Sequence, residues 1–297
     1  MPSERDAEQS LPTTVTPNLL RGWSLPEPGG SKYGRGQVVV LGGAASTPGA
    51  AMLSALAALR VGAGRLGLGV AASVAPHVAV ALPESGVLPL AQGDDGHIRG
   101  EALDAFGDDI GSADAVLLGP GLDEPDGTRE LVRRLPDLVG PDTTVVLDAF
   151  ALGVAPDVRD ALEPLRGRLV LTPNTSEAAR LLGRDLSEDD LAGDIAAIAE
   201  RYGAVVSCQS IVAEPGGALW LGGTGTGGLG TSGSGDVLSG AIAGLAARGA
   251  PCAQAAVWAT YAHAAAGDRL AVQVGPLGYL ARELVEELPR VLVEIGG

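Results

Sequence analysis

The chain has 297 residues, 46% of them hydrophobic, which suffices for one large packed domain and lies outside the disordered and fibrous classes. Its formal charge of −16, with Lys32 the sole lysine and no dense basic run among 20 basic residues, argues against a nucleic-acid partner, because the averaged field repels a polyphosphate backbone. Two cysteines cannot build a disulfide framework or a four-cysteine zinc site, and neither a secretory leader nor an apolar run of about 18 residues is legible, so a cytoplasmic protein with no membrane partner is expected.

In chain order, residues 1–30 read as a partly ordered arm, with Pro12, Pro17, Pro26 and Pro28 and a short helix near residues 18–23. Residues 31–297 read as a single domain, without an internal repeat or a long hydrophilic linker. A strand over 37–41 leads through a glycine turn to Pro48, which suits a first helical turn, and to an alanine-rich helix over 49–61. That helix is apolar nearly all round and is expected to be buried, in part between subunits. A strand over 65–70 follows. Short apolar runs at 115–118, 144–147, 169–172 and 204–207 lack strict alternation, as central parallel strands do. Helical stretches at 128–135 and 190–202 fall between them, and the alternation predicts an α/β domain with a parallel sheet covered on both faces.

Two segments carry the spacing of a dinucleotide fingerprint, Gly62, Gly64 and Gly67, and again Gly225, Gly227 and Gly230. With 45 glycines in the chain such a match arises about once by chance, and the fingerprint has meaning only between a strand and a helix, whereas the first match follows a helix and the second lies inside a longer glycine-rich stretch. No glycine-lysine-serine or threonine phosphate loop occurs, since Lys32 precedes Tyr33. The informative stretch is GTSGSGDVLSG over 230–240, followed by an apolar helix over 241–249. Gly233 and Gly235 permit a tight turn, and the helix start adds unsatisfied amides and positive dipole, an arrangement suited to an anion. Asp236 at that start is either a plain cap or a base placed to take the proton of an attacking hydroxyl.

This stretch resembles the anion-hole signature of the ribokinase-like superfamily. Further segments are similar to one branch of it, the NAD(P)H-hydrate dehydratases: KYGRGQVVVLGG (32–43), TPGAAMLSALAALRVGAG (47–64), GPGL (119–122), LDAFAL (147–152) and TPNTSE (172–177), all in the family's order. The resemblance covers roughly residues 30–290. It implies a three-layer α/β/α sandwich with a mostly parallel central sheet, and ADP- or ATP-dependent dehydration of hydrated NADH or NADPH, with Mg²⁺ and a homo-oligomer, a tetramer in the family. It further implies Asp236 as the catalytic base. Ala50, Gly121, Asn174 and Asp236 would contact the hydrated cofactor, and Cys208, Gln209, Ser210, Gly233, Ser234 and Gly235 the nucleotide; no residue is assigned to a metal.

The chain departs from the family at three places. Asn174 stands where a histidine is usual, so it can hydrogen bond but cannot titrate near neutrality. Ser207, Cys208, Gln209 and Ser210 replace the usual lysine-glycine stretch, leaving the donor to amides, arginines and a metal ion. Phe150 occupies the position of an expected second aspartate near Asp148. Cys208 also reads as a small buried apolar residue, and His263 as a hydrogen-bonded histidine on a packed helix. His77 and His97 lack partners at metal spacing. A fused epimerase domain is not expected, because some 30 leading residues are too few to bury a core. Two alternatives remain at this stage: a vitamin or sugar kinase of the same superfamily, and a non-catalytic cofactor-sensing protein.

Overall fold

The computed structural model describes residues 12–225 and 227–296. Ten strands form one sheet: β1 (Thr13–Val15), β2 (Gln37–Leu41), β3 (Arg65–Ala71), β4 (Gly86–Leu90), β5 (Ala115–Leu118), β6 (Thr144–Leu147), β7 (Leu169–Leu171), β8 (Val205–Cys208), β9 (Ile211–Ala213) and β10 (Leu219–Gly222). Their order is β1-β10-β9-β8-β7-β6-β5-β2-β3-β4, and every pairing is parallel except the two made by β9.

Successive side chains of a strand point to opposite faces, and here both faces are sealed. Val38 and Val40 of β2 enter the core under the helices Pro48–Arg60, Ser234–Ala247, Cys252–Gln273 and Ala281–Ile295. Val39 and Leu41 enter the opposite core, under Pro125–Leu138, Thr175–Leu182 and Leu191–Tyr202. The result is the three-layer sandwich with a mostly parallel sheet. The alanine-rich helix buries Ala51, Ser54, Ala55, Ala57 and Ala58 within the subunit, while Met52, Leu53, Leu56 and Leu59 are partly buried. It lies against Ser234–Ala247 so closely that a Cβ on Gly240 would stand 2.1 Å from the Ser54 carbonyl oxygen, and one on Gly244 2.6 Å from that of Ala58. Only glycine allows that approach.

The expected strands and most of the helices occur to within a few residues of their predicted ends; the apolar helix expected over 241–249 instead starts at Ser234 and takes in Asp236. Four strands were not legible beforehand: β4, an edge strand that carries Pro89, the short β9 and β10, and the three-residue β1, which extends the sheet from within the expected arm. The helix Pro17–Gly22 follows β1, and its Leu20 is fully buried. Gly62 and Gly64 turn the chain from a helix into β3, the reverse of the order a dinucleotide fingerprint requires.

Candidate active site

In open parallel sheets ligands bind beyond the carboxyl ends of the strands, where the strand order reverses. Here the order reverses between β2 and β5, and the loops after these strands are stapled together. Gly43 and Ala44 donate amide hydrogens to the Pro120 and Gly121 carbonyls, each at 2.8 Å, and the Thr47 hydroxyl donates to Gly121 O at 2.8 Å. Gly121 has φ +73°, and a Cβ there would stand 3.2 Å from the Ala50 Cβ, so the two residues implied to bind the hydrated cofactor face one another at the reversal.

Beside this crevice a cavity of about 650 Å³ opens over the carboxyl ends of β6, β7 and β8 and the start of the helix Ser234–Ala247. Asn174, Gln209, Ser210, Ser234, Gly235 and Asp236 line it. Ala50, Gly121, Gly233 and Cys208 do not. Ala50 lies one turn before Leu53, whose side chain abuts Gly233, so these residues sit just beyond the wall. The Cys208 side chain is different. It is fully buried in the core at the end of β8, and burial pushes its thiol up to about 11, so the side chain packs into the core. Gln209 and Ser210 form the two-residue turn from β8 into β9, with Gln209 at φ +55°.

Gly233, at φ +89°, caps the helix without any side-chain hydrogen bond. Asp236 is therefore not the cap. Ser234 N–H donates to Thr231 O, and Val237 N–H to Gly233 O, whereas the amides of Gly235 and Asp236 have no protein acceptor among the described residues. Those two amides, with the helix dipole behind them, are an arrangement suited to an anion. Among the described residues the Asp236 carboxylate accepts no hydrogen bond, and burial followed by the charge of Asp148 raises it to about 7. A carboxyl titrating there is suited to general-base work near neutrality.

Asp148, which sequence reasoning left without a role, directly follows β6 and is 5% exposed. The Thr172 hydroxyl donates to its Oδ1 at 2.7 Å, and Ser239 and the Ala149 amide also bond it, yet burial outweighs these bonds and raises its pKa. Its neighbour Ala149 holds φ 50°, ψ −121°, a strained conformation for a side-chain-bearing residue. An aspartate at the carboxyl end of a parallel strand was the available signal. Glu177, raised by burial, makes a reciprocal capping box with Asn174: Glu177 N–H donates to Asn174 Oδ1 and Asn174 N–H to Glu177 Oε2, each at 2.9 Å. Asn174 thus spends its carbonyl oxygen on the cap and keeps its amide nitrogen for the cavity.

A sequence model of the NAD(P)H-hydrate dehydratases matches residues 38–290. The chain belongs to this family. It is 47% identical over 286 residues to an ADP-dependent (S)-NAD(P)H-hydrate dehydratase of Xanthomonas campestris, covering 94% of the chain and 96% of that relative. A bifunctional NAD(P)H-hydrate repair enzyme of Salinibacter ruber is 36% identical over 277 residues, and the chain spans about half, 51%, of its length. Among solved structures, the Bacillus subtilis ADP/ATP-dependent NAD(P)H-hydrate dehydratase co-crystallised with ATP and Mg²⁺ superposes with a TM-score of 0.78 at 27% identity, covering 96% of this dehydratase-family chain and 99% of the other. A ribokinase-like protein of Enterococcus faecalis, at 21% identity and a TM-score of 0.82, shares the fold. The protein is an enzyme of a nucleotide-dependent lyase family. No helix among the described residues is long and apolar enough to cross a membrane.

Proposed function

We propose that the protein dehydrates hydrated NADH or NADPH at the expense of ADP or ATP, returning the reduced cofactor. The observation that carries this reading is a carboxylate with no hydrogen-bond partner among the described residues, poised near neutrality beside two amides at a helix start that likewise have none. Asp236 takes the proton of the ring hydroxyl, and the freed oxygen attacks the terminal phosphoryl group of the nucleotide. The Gly235 and Asp236 amides hold that group as its oxygens take up charge. ADP leaves as AMP, or ATP as ADP. The carbon-bound oxygen is then part of a phosphate, a good leaving group. The ring nitrogen's lone pair expels it, and loss of the neighbouring carbon's proton restores the dihydronicotinamide.

Asp148 and Glu177 are the other carboxylates at the cavity. No group of three metal-ligating side chains occurs among the described residues. Mg²⁺ would therefore be held by one or both of these carboxylates and mainly by the nucleotide's phosphates, which suits its reluctance to shed water. When bound it neutralises charge on the phosphates; the proton remains the task of Asp236. A cytoplasmic homo-oligomer, a tetramer by family resemblance, belongs to the same reading and is tested by light scattering. The decisive assay mixes the purified protein with hydrated NADH or NADPH and ADP or ATP, and follows the return of reduced-nicotinamide absorbance. Recovery that needs the nucleotide and falls at least about a hundredfold in Asp236→Asn is the expected result. A phosphorylated small alcohol without such recovery would instead mark a kinase.

A further inference from the structure

Two side chains at the start of the helix Ser234–Ala247 have no part in the proton transfer, Ser234 and His263. Both are buried, 4% and 7% exposed, and both line the cavity. His263 projects from the middle of the neighbouring helix Cys252–Gln273, and its Nε2 lies 3.0 Å from Ser234 Oγ and 3.0 Å from the Ser234 carbonyl oxygen. A carbonyl oxygen can only accept. The second contact is therefore a hydrogen bond only when Nε2 carries the proton. In the opposite tautomer a bare nitrogen lone pair would face the carbonyl lone pairs at 3.0 Å, in a buried place where an unpaired polar group is costly.

With Nε2 a donor, the Ser234 hydroxyl can only accept from the imidazole, and its own hydrogen is turned elsewhere. Elsewhere is the cavity, beside the free amides of Gly235 and Asp236. Burial also holds the imidazole down at about 4, so His263 is neutral at working pH and fixes a direction without adding charge. We propose that the Ser234 hydroxyl is a third donor to the transferring phosphoryl group, and that His263 is the positioning residue that keeps this hydroxyl aimed at it. The inference rests on the phosphoryl-transfer reading above and deepens it: a site walled by Asp148, Glu177 and Asp236 needs every donor it can direct at an anion.

The test compares the full-length protein with Ser234→Ala, His263→Phe, His263→Gln and the double variant Ser234→Ala/His263→Phe, in kcat, in KM for the hydrated dinucleotide and in ADP affinity by calorimetry. Ser234→Ala is expected to lose about tenfold to a hundredfold in kcat, the usual effect of one hydrogen bond to a charged group, with the dinucleotide KM unchanged. His263→Phe should lose as much, and the double variant no more than either alone, because both changes remove the same bond. His263→Gln, whose amide N–H can stand in for Nε2–H, should recover most of the loss. Losses that multiply in the double variant, or a wild-type kcat in Ser234→Ala, overturn the proposal. Should His263→Phe not fold, Ser234→Ala and His263→Gln decide it alone: a loss in the first with recovery in the second supports it, and the reverse sinks it. A wild-type protein inert toward hydrated cofactor would count against the dehydratase reading only. ADP affinity then still reads the donor, since about tenfold weaker binding in Ser234→Ala supports it and unchanged binding overturns it.

Discussion

Asp236 sits where a helix dipole favours negative charge, yet burial and the Asp148 carboxylate raise it to about 7. The base works ionised, so kcat/KM should rise with pH and level off above about 7, which a pH–rate profile measures. Asp148→Asn removes a like charge and should move that acid limb to lower pH. The same shift affects stability with a definite sign. The folded pKa lies above the unfolded value, so the folded state binds more protons between the two, and this group's contribution is lost as pH rises through about 7. Asp236→Asn should accordingly raise Tm by a few degrees above pH 7 and give no gain near pH 4, as thermal scans at both values would show. Asp236 was legible because its glycine turn and helix are contiguous in sequence. Asp148 was not: its raised pKa depends on layers of core closing over it, which outweigh the hydroxyls that Thr172 and Ser239 bring from other elements.

Among elements, the helix Ser234–Ala247 carries the site, and the alanine-rich helix Pro48–Arg60 fixes its position. Gly240 and Gly244 form the contact, with the Ser54 and Ala58 carbonyls where side chains would otherwise stand. Gly240→Ala should therefore destabilise by about 1–3 kcal/mol in urea unfolding and lower kcat as well, because the anion site shifts with its helix. The apolar surface of both helices was readable from composition, but their mutual approach was not, since each glycine is silent until its neighbour is known. β9 shows the same limit. Three residues reveal neither their partner nor their direction, and only pairing with β8 across the Gln209–Ser210 turn makes them antiparallel. Cys208, at the end of β8, reads in sequence equally well as a ligand contact or as core, and only the fold shows that its side chain is buried.

Across the whole molecule, the segment that reads as an arm completes one end of the sheet. β1 pairs with β10, Val15 lines the cavity, and Trp23 stacks on Trp220 with ring centroids 5.7 Å apart. Gln254 Nε2 and Trp258 Nε1 donate to the Trp23 carbonyl oxygen at 3.0 and 2.9 Å, tying the segment to the helix that bears His263. Deleting the chain up to Leu25 should lower Tm, shift the emission of Trp220 to the red and weaken ADP binding, all measurable on one preparation.

What the amino-acid sequence determined unaided is what depends on near neighbours along the chain: the strand–helix alternation, the glycine turn before Asp236, and the ordered segments that mark the family. The tertiary structure decided what depends on residues brought together from afar. These are the edge strands, the glycine contacts between helices, the pairing of Asp148 with Asp236, and the imidazole that orients a serine from another helix. The division follows from the range of the forces. Helix and turn preferences act over a few residues, whereas burial, and the desolvation that tunes a carboxylate or an imidazole, exists only after distant segments have excluded water.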